Sequence, residues 1–245
     1  MVERAGALDG HRALVTGATS GLGRAIALRL AADGADVVVH GRDQARGQAT
    51  VAAIVAAGGK ASFLGADLGS ADEALRLARA AGDIDLLVNN AGFSVFGATA
   101  DIDAARFDAL FASNVRAPFV LVGALAPGMA ARGRGCIINI SSMAARIGLP
   151  TGAAYGASKA ALEAMTRAWT AEFSAHGVRV VAVAAGPVYT DGAAADRTER
   201  LGQTTALGRA AQAEEIANVV AFLASDGGSY ITGSVIAVDG GRTAI

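Results

Sequence analysis

The chain has 245 residues, 53% of them hydrophobic and 18% charged, with 21 Lys and Arg against 22 Asp and Glu. This near-neutral balance, spread thinly along the chain, leaves no electrostatic footprint for nucleic acid or an anionic membrane surface, so the expected partner is a small molecule. The single cysteine, Cys136, excludes an internal disulfide, and it stands in an apolar run where it is expected to pack; no metal site is expected. The N-terminus lacks the apolar stretch of a signal peptide, and no apolar run approaches the ~20 residues needed to span a bilayer, so a soluble cytoplasmic protein is expected. No Pro/Ser-rich or charged tract offers itself as a linker, so residues 1–245 are read as one domain.

In chain order, Arg12 to Thr16 is a short apolar run leading into Gly17-Ala18-Thr19-Ser20-Gly21-Leu22-Gly23 and then a helical pattern from Arg24 to Ala32. Strand, glycine-rich turn and helix aim backbone N–H groups and a helix N-terminus at a phosphate. Asp36 to His40 reads as a second strand, Asp43 to Ala57 as a helix ended by Gly58-Gly59, and Lys60 to Leu64 as a third strand. Ser70 to Ala81 is a helix opened by an N-cap serine, and Asp85 to Val88 is a strand ending in Asn89-Asn90-Ala91-Gly92. Asp103 to Arg132 reads as one long helix, bent or broken near Pro118 and Pro127. Cys136 to Ile140 is an apolar strand ending in Ser141-Ser142, Tyr155 to His176 a helix stopped by Gly177, and Val178 to Ala184 a sixth strand. Asp191 to Gly208 is small, polar and aperiodic, the expected mobile part of a substrate loop at about 188–208; a helix from Ala213 to Leu223 and a strand from Val235 to Val238 close the chain. Seven strands alternating with about six helices predict an α/β, Rossmann-type doubly wound sandwich: a seven-stranded parallel sheet flanked by helices on both faces. Its ligand site lies beyond the carboxyl ends of the strands, where Ser142, Asn89, Asp67 and the 17–23 loop fall.

Tyr155 and Lys159 stand four residues apart on a predicted helix, about one turn on the same face. A phenol that exchanges protons near neutral pH needs a fixed positive charge beside it, because its ordinary pKa is near ~10. On their own, the two residues fit equally a tyrosine packed on the core with a solvated lysine one turn on.

The surrounding motifs give the chain a resemblance, from about Arg12 to Gly241, to the short-chain dehydrogenases/reductases. Thr16 to Gly23 matches the family's TGxxxGxG coenzyme loop, Asp67-Leu68 its adenine-contacting position, and Asn89 to Gly92 its NNAG segment. Asn114, Ser142, Tyr155 and Lys159 match its catalytic tetrad, and the chain is most similar to the 3-oxoacyl-acyl-carrier-protein reductase and ketoreductase branch. The resemblance implies that Tyr155 exchanges a proton with the substrate oxygen, that Lys159 lowers the tyrosine's pKa and bonds the nicotinamide ribose, that Ser142 holds the substrate oxygen, and that Asn114 holds a water linking Lys159 to solvent. It implies coenzyme contacts at Gly17, Thr19, Ser20, Gly21, Leu22, Gly23, Asp67, Leu68, Asn90, Ala91, Gly92, Tyr155, Lys159, Gly186, Val188 and Thr190, and a homotetramer built through the helices at 103–132 and 155–176 and the last strand.

Coenzyme choice is read at the end of the second strand. Gly41 falls where NAD-preferring relatives carry an Asp, and Arg42 follows it, so the expected coenzyme is NADP(H), a 2′-phosphate being repelled by carboxylate and attracted by Arg. The alternative is that Arg42 is solvated and Asp43 holds the ribose of NAD(H). Two departures from the family stand out: Val181 replaces an Asn in the sixth strand, and Ala185-Gly186-Pro187 lacks the proline before the glycine. Ser94, Phe96, Ala144, Ile147, Leu149 and Tyr189 are expected to line a pocket without a strong charge selector, for a neutral or moderately hydrophobic carbonyl compound. Arg132, Arg134 and His176 are the candidates for meeting an acidic acyl-carrier protein. The competing readings are an NAD-dependent sugar, polyol or steroid-type dehydrogenase and a non-catalytic nucleotide-binding regulator.

Overall fold

A computed structural model describes residues 6–190 and 195–245. Seven apolar runs form strands: β1 (Arg12–Val15), β2 (Asp36–Gly41), β3 (Lys60–Gly65), β4 (Leu86–Asn89), β5 (Gly135–Ser142), β6 (Val178–Ala185) and β7 (Val235–Val238). They lie side by side in the order β3-β2-β1-β4-β5-β6-β7, every pair parallel. This is the expected doubly wound sheet, and its order reverses between β1 and β4, which opens a crevice at their carboxyl ends.

The connecting helices are α1 (Gly21–Ala32), α2 (Gln44–Ala56), α3 (Ala71–Ala81), α4 (Ala104–Phe111), α5 (Ala117–Ala131), α6 (Ala153–Phe173), α7 (Ala195–Gly202) and α8 (Ala213–Ala224). Because successive strand residues point to opposite faces, each strand feeds two cores. Val15, Val37, Val88, Ile138 and Val181 pack with Ile26 and Leu30 of α1 and Ile216 and Val220 of α8. Leu14, Val38, Leu87, Ile137 and Val180 pack on the other face with Leu77 of α3, Leu121 and Leu125 of α5, and Trp169 of α6. Cys136 is buried, as expected, and burial pushes its thiol up to about 11.

Two predicted spans differ. The run from Asp103 to Arg132 breaks into α4, a π-helical turn at Ala112–Arg116 and α5, with Pro118 in the first turn of α5 and Pro127 inside it. Pro118 falls directly after the π turn, where Ala117 N–H bonds Ala112 O and the α-helical ladder is already interrupted; the extra residue of that turn leaves apolar spacing almost unchanged and so gives no sequence signal. The stretch from Ala104 to Ala131 also meets length and hydropathy limits for crossing a membrane, with an 18-residue window of mean hydropathy 1.5, contrary to the expectation that no such run exists; here α5 packs on the sheet. Within the expected mobile loop, residues 195–202 are helical and 203–208 form turns, and the part of that expectation at 191–194 lies outside the described residues. The buried side of α7 consists of Thr198 and Gly202, which do not register as an apolar stripe.

Candidate active site

The phosphate-binding geometry follows from what has no room for a side chain. A Cβ on Gly17 would lie 2.9 Å from Ala91 Cα, and one on Gly23 2.1 Å from Gly17 O, so the loop folds tightly over the end of β4. Gly17 and Gly21 take φ of 65° and 50°, which L side chains rarely adopt. Helix α1 starts after Ser20 with no side-chain cap and no acid in its first turn, so its leading N–H groups face the crevice as unfilled donors. Leu22 packs against one core and Leu68 is buried in the other, so neither side chain is free to meet a coenzyme as a polar group. Asp67 is exposed, its carboxylate accepting the Gly69 N–H at 3.0 Å.

Three ties that no motif announces hold this loop. Thr16 Oγ1 donates to Val88 O and accepts the amides of Asn90 and Ala91, each at 3.0 Å. Asn90 Nδ2 donates back to the carbonyls of Thr16 and Gly17. His40, buried at the end of β2, accepts the Gly17 N–H on Nδ1 at 3.2 Å, which leaves Nε2 to donate to Ala66 O at 3.2 Å. Burial pushes this imidazole down to about 4, so it stays neutral and joins the loop to the β3 side of the crevice.

Beside it, a Cβ on Gly41 would lie 2.3 Å from Thr19 Cγ2, so Thr19 fills the space a side chain would take there. Asp43 caps α2: its carboxylate accepts the Arg46 N–H at 3.0 Å and Nε at 2.8 Å, which holds it below its ordinary pKa. Arg42 is exposed and pairs with no carboxylate among the described residues.

At the other side of the crevice α6 presents Tyr155 and Lys159. A Cβ on Gly156 would meet Ala144 O at 2.6 Å, so this glycine lets α6 press onto the 3₁₀ turn Met143–Ala145 that follows β5. That approach brings Tyr155 to Ser142, whose hydroxyl also accepts the Ala144 N–H at 3.2 Å. Burial raises the phenol's pKa, and the Ser142 hydroxyl lowers it less strongly. Lys159 Nζ lies 5.9 Å from the ring centre and donates to Ile140 O at 2.8 Å. Burial depresses the lysine itself to about 8. An ammonium has three donors, so two remain for the cleft.

Asn114 sits in the π turn, and its side chain makes three hydrogen bonds. Its Oδ1 accepts the Phe93 N–H, and its Nδ2 donates to Phe93 O and to Ser158 Oγ. Ser158 in turn donates to Tyr155 O at 2.8 Å. Gly92 is pressed between Asn114 Oδ1 and Lys159 Nζ, at 2.6 and 3.7 Å from the place of a Cβ.

The departures near β6 are absorbed by backbone pairing. Val181 is fully buried among aliphatic side chains, where a buried Asn would need polar partners. Ala185 pairs with Val238, Gly186 N–H bonds Val238 O, and a Cβ on Gly186 would strike Asp239. Pro187 O and Tyr189 N–H then bond Ala211, fixing Val188 and bringing Thr190 against Gly21.

The substrate side is partly as expected. Phe96, Leu149 and Gly152 meet, with Phe96 tilted on Tyr155 at 5.6 Å between ring centres, and Ala144 is buried; Tyr189, expected on the same pocket, instead lines a hollow of about 350 Å³ between α1 and α8 with Gly21, Arg24 and Gln212. One wall was not foreseen: the Arg197 guanidinium of α7 lies over the Phe96 ring, 4.0 Å from its centre. Conversely, Arg132, Arg134 and His176 immediately precede β5 and β6, at the opposite end of the sheet, and the two arginines pair with Asp83 and Asp85. They cannot serve the cleft as a carrier-protein patch.

These residues fit a nicotinamide dinucleotide: a tight glycine loop, free helix donors, and a buried ammonium with donors to spare. The family model described as enoyl-(acyl carrier protein) reductase matches residues 17–243. A 3-oxoacyl-[acyl-carrier-protein] reductase from Synechocystis sp. is 38% identical over 241 residues, covering 96% of this chain and 98% of that protein. Among solved structures, a short chain dehydrogenase/reductase family protein superposes with a TM-score of 0.91 at 50% identity, covering 97% of this chain and 99% of that one. A blue fluorescent protein from a metagenomic library, in complex with NADPH, does so with 0.89 at 37% identity, covering 96% and 98%. Motif order, sheet order and these matches agree, and the chain belongs to the short-chain dehydrogenase/reductase family, an oxidoreductase that uses a nicotinamide coenzyme on CH–OH and C=O groups.

Proposed function

We propose that the protein is an NADP(H)-dependent ketoreductase that interconverts a carbonyl compound and its secondary alcohol. The carrying observation is the convergence of Tyr155, Lys159 and Ser142 where α6 presses on the end of β5. The coenzyme, when bound, supplies or receives the hydride at the substrate carbon. Tyr155 Oη donates the proton to the carbonyl oxygen during reduction, and a phenol held above its ordinary pKa keeps that proton at neutral pH. Ser142 Oγ bonds the same oxygen, an interaction that strengthens as negative charge develops there. The Lys159 ammonium, dry and close to the ring, stabilises the phenolate left behind. Asn114 and Ser158 hold the start of α6 against Phe93.

NADP(H) is favoured because Asp43 is occupied by Arg46, Gly41 offers no carboxylate, and Arg42 is available to a 2′-phosphate. The NADPH complex of the fluorescent relative supports the same choice. Purified protein screened with NADPH and NADH against ketones, diketones, quinones and β-ketoacyl thioesters tests the proposal. Reduction with kcat/KM at least about tenfold higher for NADPH is expected, which corresponds to ~1.4 kcal/mol. A preference for NADH refutes the coenzyme assignment, and coenzyme binding without turnover of any carbonyl favours the regulator.

A further inference from the structure

Helix α7 places a cation at the wall of the Tyr155 cleft. The Arg197 guanidinium lies 4.0 Å from the Phe96 ring centre, and the Phe96 and Tyr155 ring centres are 5.6 Å apart, so one aromatic ring neighbours both the charge and the phenol. Both partners of the stack are held. Thr198 of α7 is buried, and Gly202 backs onto Ala210 so closely that a Cβ would lie 2.3 Å from its amide nitrogen. Phe96 packs beside Gly152, and the next residue, Gly97, donates its N–H to Thr151 O at 3.0 Å. Thr151 adopts φ 65°, a backbone conformation disfavoured for a β-branched residue, while presenting that carbonyl.

A guanidinium held over an aromatic ring spends none of its N–H donors on that contact and keeps the planar fork that matches a carboxylate. The neighbouring walls, Ala144 and Leu149, are uncharged, and among the described residues no carboxylate pairs with Arg197. We propose that Arg197 anchors a carboxylate on the substrate, which makes oxo acids and their hydroxy-acid products the favoured pair. This assignment of substrate class rests on the reading of Tyr155 as the proton donor to a carbonyl.

The test compares short oxo acids with their methyl esters, using NADPH, in the wild type, Arg197→Met and Arg197→Lys. The wild type is expected to favour the acid by at least about tenfold in kcat/KM, and Arg197→Met to lose at least about tenfold more on the acid than on the ester, with Arg197→Lys between. Unchanged NADPH affinity in the variants shows that the fold is intact. Glutarate, which has no carbonyl to reduce, is titrated in parallel into the NADPH complex and followed by coenzyme fluorescence. Binding that Arg197→Met abolishes supports the anchor even if no ketone turns over, a result that would sink only the reduction reading. Equal use of acid and ester by the wild type, equal losses on both in Arg197→Met, or no glutarate binding in a protein that turns over no ketone overturns the anchor.

Discussion

His40 ties the coenzyme loop to the opposite wall as a neutral imidazole, and that role has a pH signature. Its folded pKa of about 4 lies below the ordinary 6.5, so between those values the unfolded chain binds more protons than the folded one. Stability therefore falls as pH drops from 6.5 towards 4, by about 3 kcal/mol from this residue, and is unaffected by it above 6.5. In His40→Asn that component disappears, so urea unfolding should show the gap between wild type and variant narrowing as pH falls through this window; a constant gap refutes it. Gly41 and Thr19 form a second residue-scale device. Because a side chain at 41 meets Thr19, Gly41→Asp alone should weaken binding of both coenzymes, while Gly41→Asp with Thr19→Gly should shift preference towards NADH, measured as the ratio of Kd values. A clean switch by Gly41→Asp alone contradicts the steric pairing. The motif residues were legible because each motif is local in sequence, whereas His40, Ser158 and Arg197 act through partners distant in the chain or unnamed by any motif.

At the scale of elements, strands were legible because a parallel sheet covered on both faces demands continuous apolar runs, and β7 matches its predicted span at both ends. The π turn carrying Asn114 was not, since one extra residue barely disturbs helical spacing, and α7 was not, since its buried face is Thr and Gly. The contact of α6 with the turn after β5 depends on Gly156. Gly156→Ala places a methyl 2.6 Å from Ala144 O, a backbone atom that cannot swing aside, so the helix must shift. Destabilisation by about 1–3 kcal/mol is expected. Because the shift separates Tyr155 from Ser142, kcat should fall at least about tenfold with NADPH affinity retained. Full activity in a destabilised variant would show that the close approach serves packing alone.

For the whole molecule, the alternation of strand and helix implied a doubly wound sheet, and reversal of strand order between β1 and β4 explains why motifs more than a hundred residues apart share one crevice. Assembly is a proposal at this scale. Phe107 stacks on Phe111 along α4, and Phe107, Phe119, Phe222 and Tyr230 expose aromatic surface that a tetramer through the α4–α5, α6 and β7 faces would cover. Light scattering should give four times the 24.3 kDa chain mass, and a monomer rejects it. The proposed role of Tyr155 is to donate the proton while other residues carry most of the coenzyme affinity. The most direct measurement is Tyr155→Phe, assayed for turnover and for NADPH affinity in the same sample. Loss of turnover by at least about a thousandfold with NADPH Kd nearly unchanged is expected, as for removal of a proton donor; a Phe variant as active as the wild type would contradict the account.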